Sequence, residues 1–168
     1  MKKTLLALFS LVLMLCSCEG HENDSKYRSM YPTIEDMIFE SLVTGTNNIV
    51  AGEPFVATVK QSQIGRLLYK ATYNWSDATA TGTHSIFPQT VVYDHTPINP
   101  TDTIVLPHAG RQQIKMEAKY YISGGYDASA VKIDNIPDGT VNYEAPSWQY
   151  YKVTVTKFVH VKEKQENQ

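Results

Sequence analysis

Two stretches of this chain alternate apolar and polar residues with a period of two, and that pattern leaves room for little besides a half-buried β-sheet. In residues 66–75, Leu67, Tyr69, Ala71, Tyr73 and Trp75 fall on one side of an extended chain, and Lys70, Thr72 and Asn74 on the other. A strand with one buried face requires this spacing. A helix would scatter the aromatic residues around its circumference. The alternation returns in Ile114, Met116, Ala118, Tyr120 and Ile122, set between Lys115, Glu117, Lys119 and Tyr121.

Shorter runs fill the spaces between turn signals. Residues 34–43 predict a first strand, although Glu35-Asp36-Met37 leaves its start ambiguous. Ala51-Gly52-Glu53-Pro54 reads as a turn, followed by a strand with Phe55, Ala57 and Val59 on one face. A turn is expected over 61–65, a loop over 76–85, and strands over 86–93 and 101–106, separated by a segment with two prolines. Ser123-Gly124-Gly125 ends the second long strand, and Pro137-Asp138-Gly139 marks a turn within a further hairpin. Residues 148–161 place Tyr151, Val153 and Val155 together, and the slip near Lys157-Phe158 predicts a β-bulge or a twist. With no helical stripe in the domain, the expectation is an all-β fold: a single antiparallel sandwich of about seven to nine strands over residues 31–163, with a polar tail at 164–168.

The beginning of the chain has a different character. Met1-Lys2-Lys3 is positive, and residues 4–15 are almost wholly apolar, which is the length of a signal peptide and shorter than the roughly 20 residues of a membrane span. Leu15-Cys16-Ser17-Cys18 follows. This run resembles the lipobox of bacterial lipoproteins. The resemblance implies cleavage of 1–17 before Cys18, where Ser17 supplies the small residue, and acylation of Cys18, palmitate being one such chain. Residues 18–30 then form a solvated tether. Its acidic residues behind the cysteine resemble the surface-export signal of Bacteroidetes-type lipoproteins, which implies an outer-membrane protein anchored by lipid and facing the cell surface; a tether without sorting information is the alternative. Of 15 basic and 17 acidic residues, Lys2 and Lys3 leave with the leader, so that 13 basic residues face 17 acidic ones. That balance argues against nucleic acid as a partner. Both cysteines are accounted for, which removes disulfide, thiolate-metal and cysteine-nucleophile chemistry from the domain.

The strand ending in Trp75 resembles the central tryptophan-bearing strand of immunoglobulin-like domains. Likewise the 51–54 turn and residues 101–122, with their Ala109-Gly110 turn, are similar to the later strands of Ig-like and PKD-like modules. The resemblance implies the fold class and an exported setting, and leaves the ligand open. The cysteine pair of antibody domains is absent, so Trp75 is expected to pack on aliphatic side chains.

Catalytic motifs are lacking: the chain has neither Gly-x-Ser-x-Gly nor His-Glu-x-x-His. His84, His95 and His108 lie in expected loops without the spacing of paired metal ligands, so no metal and no cofactor is expected. Asp134 to Gly139 has Ile136 at the third position of a calcium loop and Ala145 where the twelfth-position glutamate belongs, and reads as a plain turn. The functional lead is aromatic. If Tyr151 points inward, Tyr150 and Trp148 point outward, with Tyr121, Tyr126 and Tyr143 nearby, and exposed rings near loop tips stack on sugars or anchor protein partners. Residues 123–146 either leave Trp148 open or fold over it. Asp102-Thr103-Ile104 resembles an O-glycosylation acceptor of Bacteroidetes-type exported proteins, with Thr103 expected to face out. The expected function is therefore non-enzymatic: a lipid-anchored binding or accessory module for glycan or protein. The alternatives are a structural subunit of an outer-membrane assembly and, third, a small hydrolase.

Overall fold

A computed structural model describes residues 28–63, 65–77, 89–92 and 99–165. The leader, Cys18, His84 and His95 lie outside the described residues. The strands are β1 (Thr33–Ser41), β2 (Ile49–Val50), β3 (Pro54–Gln63), β4 (Leu68–Asp77), β5 (Gln89–Val92), β6 (Thr101–Val105), β7 (Gly110–Ile122), β8 (Lys132–Ile136), β9 (Gly139–Ser147) and β10 (Tyr150–Lys162). A three-stranded antiparallel sheet in the order β1-β3-β6 faces a larger one in the order β5-β4-β7-β10-β9-β8. The short β2 pairs in parallel with the end of β10, at Val161 and Lys162. The architecture is an all-β sandwich.

Alternation explains the core. Ile114, Met116, Ala118 and Tyr120 of β7 and Tyr151, Val153 and Val155 of β10 are completely buried, and they meet Phe55, Ala57 and Val59 of β3 across the sandwich. Each valine, isoleucine, methionine or phenylalanine among them contributes about 1.5–3 kcal/mol on leaving water. Ile104 and Leu106 point inward from the β6 region while Thr103 is exposed. Pro137 and Asp138 form the two-residue turn between β8 and β9, with Asp138 at φ 55°. Glycine follows for a steric reason: a Cβ at Gly139 would lie 2.2 Å from the Thr156 carbonyl oxygen on β10.

Four expectations need correction. β3 runs through Gln63, whose backbone pairs with Thr33, so the turn expected at 61–65 is shorter. In β4, Leu68 faces inward while Tyr69 is 51% exposed, and Leu67 precedes the strand at φ 53°. A bulge between Leu68 and Lys70 adds one residue opposite Ile122 and Tyr121, which flips the face of everything ahead of it. The tether stops sooner than residue 30. Arg28 bridges to Gly125, Met30 to Arg66, and Ser29 is only 2% exposed.

The fourth correction concerns the slip at Lys157-Phe158. β10 pairs with β7 from Tyr150 to Val161 without any register shift. The alternation is intact, and a lysine occupies an inward position. Lys157 Nζ reaches Asp36 Oδ1 of β1 at 2.6 Å, with side-chain exposures of 12% and 27%, and the same oxygen accepts the Met37 N–H at 2.7 Å. Phe158 faces outward beneath the Arg111 guanidinium, 3.5 Å from its ring centre. The pair also accounts for the ambiguous start of β1, where register shifts between Thr33 and Asp36 turn both Ile34 and Met37 inward.

Two predictions follow from these inward charges. Removing one partner strands a desolvated charge, whereas replacing the amine by an apolar chain of similar length does not. Asp36→Ala is therefore expected to cost about 2 kcal/mol and Lys157→Met clearly less, with a non-additive double mutant; equal losses in denaturant titrations would contradict this. Asp102 shares the inward side of β6 with Ile104. Its Oδ1 accepts the Thr103 N–H at 2.7 Å, while Oδ2 is buried and has no hydrogen-bond partner among the described residues. Burial raises its carboxyl above the ordinary value, against the opposing Thr103 N–H. A raised carboxyl binds its proton more tightly in the folded state, so stability falls as pH rises through the carboxylate range. Asp102→Asn should raise the melting temperature at neutral pH and lose that advantage under acid, measured by thermal melts across pH.

Candidate functional site

The outward face of the larger sheet is built in rungs, because β4, β7 and β10 run in matched register. Lys70, Tyr121 and Tyr150 form one rung, and Thr72, Lys119, Lys152 and Glu144 the next. The bulge at the start of β4 adds Tyr69 to the first rung. Tyr69 and Tyr121 have ring centres 6.1 Å apart, and Tyr121 and Tyr150 5.9 Å apart, each pair tilted by about 50°. Three tyrosine rings thus cross three neighbouring strands.

The charges of this face arrange themselves around the rings. Lys119 and Lys152 sit directly opposite each other, a repulsive placement on neighbouring strands. It is relieved by divergence. Lys152 Nζ lies 3.1 Å from Glu144 and 3.4 Å from Glu117, while Lys119 Nζ extends over the Tyr150 ring at 5.4 Å. Lys70 Nζ lies over Tyr121 at 4.9 Å. The Glu144 hydrogen bond, then the nearby carboxylate charges, hold the Lys152 amine above its ordinary pKa. Beside Tyr150 the surface dips into an open depression of about 490 Å³, lined by Glu117, Lys119, Val131, Pro146 and Lys152. A half-exposed ring, two ammonium groups, two carboxylates and an apolar rim therefore converge there.

The five expected platform residues separate. Tyr121 and Tyr150 come together on the outer face. Trp148 stands 73% exposed in the turn between β9 and β10, so residues 123–146 do not cover it. Tyr143 and Tyr126 turn the other way and leave the platform. Tyr143 is completely buried, stacks on Tyr31 at 4.5 Å and accepts the Ile34 N–H at 3.0 Å. Tyr126 stacks on Tyr151 at 6.0 Å and donates to the Ala145 carbonyl. Tyr151 donates to the Ser29 carbonyl at 3.0 Å and accepts the Asp127 N–H at 2.9 Å. Burial raises the phenol pKa of Tyr31, Tyr143 and Tyr151. Tyr143 and Tyr151 fasten residues 28–34, Tyr31 among them, to the larger sheet.

Tyr69 is the platform residue that sequence reasoning missed, since strict alternation from Trp75 backwards puts it inside. The signal lies in Leu67-Leu68, adjacent apolar residues that cannot both face the core without a bulge. Among the described residues no three histidine, cysteine or acidic side chains converge as a metal site. His108 is exposed.

The two tyrosine groups predict opposite responses. Tyr151→Phe leaves the Ser29 carbonyl and the Asp127 N–H without their partner, an expected loss of about 1–3 kcal/mol. Tyr121→Phe removes a solvated hydroxyl and should change stability by less than about 0.5 kcal/mol. Chemical denaturation of both variants checks the contrast, and equal losses would refute the division.

Comparison with known protein families, with curated proteins and with solved structures finds no match, so the functional reading rests on the geometry of this face.

Proposed function

We propose that the chain is a lipid-anchored β-sandwich of immunoglobulin-like type that binds glycan, without catalysis, on the outer face of its larger sheet. The anchor reading rests on the Leu15-Cys16-Ser17-Cys18 run and the apolar segment before it, and the outer-membrane, surface-facing location on the acidic residues behind Cys18, a periplasm-facing domain being the alternative. Strand order supports the fold type. β1-β3-β6 against β5-β4-β7-β10 follows the A-B-E and C′-C-F-G arrangement of such domains, and Trp75 is buried on the strand in the C position. The β8–β9 hairpin, which extends the sheet beyond β10, departs from that plan.

The observation that carries the ligand class is the tyrosine row beside the depression. Sugar rings present apolar C–H faces that stack on aromatic rings, and hydroxyl rims that bond to ammonium and carboxylate groups. Tyr121 and Tyr150 supply the first, and Lys119, Lys152, Glu117 and Glu144 the second. Glu117 and Glu144 both engage Lys152, as structural partners of one amine.

The test is a panel of neutral and acidic glycans with the leaderless protein. Tyr121→Ala and Tyr150→Ala should each weaken binding about tenfold, the equivalent of one stacking contact, with circular dichroism unchanged. Thr103→Ala, on the opposite sheet, should leave it unaltered. A folded protein that retains no glycan would end this reading and move the role to that of a structural subunit in a membrane assembly.

A further inference from the structure

We propose that the end of the sandwich carrying Met30 and Trp148 rests on the lipid surface to which the protein is anchored, so that the strands stand upright on the membrane. The inference depends on acylation of Cys18, proposed above.

Topology brings the relevant residues to one end. Arg28, the first described residue, bridges to Gly125, and the Ser29 N–H donates to the Gly125 carbonyl at 2.8 Å. The Ile122 N–H donates to the Gln149 carbonyl at 2.9 Å. The point where the chain enters the domain, the loop after β7 and the turn before β10 therefore form one cluster. Ser147 and Tyr150 pair directly, which leaves Trp148 and Gln149 as the two-residue tip of that hairpin. Trp148 is 73% exposed there, and Met30, beside Arg66, is 49% exposed.

The length of chain ahead of residue 28 decides what covers these side chains. About ten residues separate Cys18 from Arg28, and a chain of that length can reach at most about 35 Å. Acyl chains on Cys18 would thus keep this end within about 35 Å of the headgroups. The opposite turn, with exposed Leu42 and Val43, lies a further β1 length away, about 30 Å. Of the two apolar ends, the Trp148 end is the one beside the point where the chain enters the domain, and so the nearer to the anchor. Tryptophan suits that position, since an amphipathic indole settles at the boundary between headgroup and acyl chain. The Tyr69, Tyr121 and Tyr150 row occupies the last rung at the same end, so the glycan face opens sideways just above the membrane.

The mature chain offers a direct test, because Cys18 is its one thiol and Trp75 and Trp148 are its two indoles. Residues 18–168 are coupled through Cys18 to a maleimide lipid in phosphatidylcholine vesicles, with and without brominated acyl chains. The expected result is a blue shift of Trp148 emission on coupling and its loss in brominated vesicles. In Trp148→Phe, the remaining emission, from Trp75 at 2% exposure, should be indifferent to bromine. Emission of the coupled protein that stays red and unquenched overturns the docking. In parallel, the mass of the N-terminal peptide from native membranes reports the anchor. Acylated Cys18 with unquenched Trp148 refutes the docking alone, whereas Cys18 without acyl mass removes the anchor and the docking together.

Discussion

β10 is the strand on which the rest of the sandwich depends, because both of its edges are engaged along nearly its whole length. β7 holds one edge from Tyr150 to Val161, while β9 and then β2 hold the other. With a side-chain period of two, a slip of one residue would expel Tyr151, Val153, Val155, Val159 and Val161 from the core together. The one charged inward position, Lys157, limits the alternatives further. Its amine must meet Asp36 on the opposing sheet, and an unpaired ammonium there would be costly. One ion pair therefore ties the register of the larger sheet to the position of the smaller one.

The same parity divides the tyrosines into two populations with unrelated tasks. Tyr143 and Tyr151 lie on inward positions of β9 and β10, and their hydroxyls satisfy backbone groups of residues 29, 34 and 127. Tyr121 and Tyr150 lie on outward positions of β7 and β10, where their rings meet each other and two lysines. A phenol serves both settings, being mostly apolar with a single polar tip. The inner rings hold the first described residues against the sheet that bears the outer ones, so the start of the described chain and the candidate binding face belong to one packed unit.

Where one face is apolar without interruption, as in β3, β7 and the first half of β10, the sequence was enough to assign strand and orientation. It failed where one residue broke the count. Leu67-Leu68 gives two apolar candidates for a single inward position, and only the pairing with Ile122 and Tyr121 shows that Leu68 takes it. Lys157 resembles a break in the pattern because its partner, Asp36, lies 121 residues away. Tyr126 and Tyr143 could not be assigned a side either, since neither lies in a run whose alternation is clean. The candidate face was thus half legible: Tyr121 and Tyr150 follow from parity, whereas Tyr69 follows from a bulge.

The two ends of the sandwich differ in a way that bears on how a tethered domain works. An anchor joined loosely to the domain would let it tumble, and the proposed binding face would sample every direction. Here the chain enters beside the exposed tip of the β9–β10 hairpin, and residues 28–30 are clamped by hydrogen bonds to Gly125, Tyr151 and Arg66. An anchor at Cys18, as proposed, would therefore lead to a rigid surface. With that anchor in place, a lipid contact made by Trp148 would be an intramolecular event at high effective concentration, for which even a weak interfacial preference suffices. The acyl anchor and one weak contact would then together restrict a rotation that neither could restrict alone, and the tyrosine row would keep a constant height and heading above the bilayer.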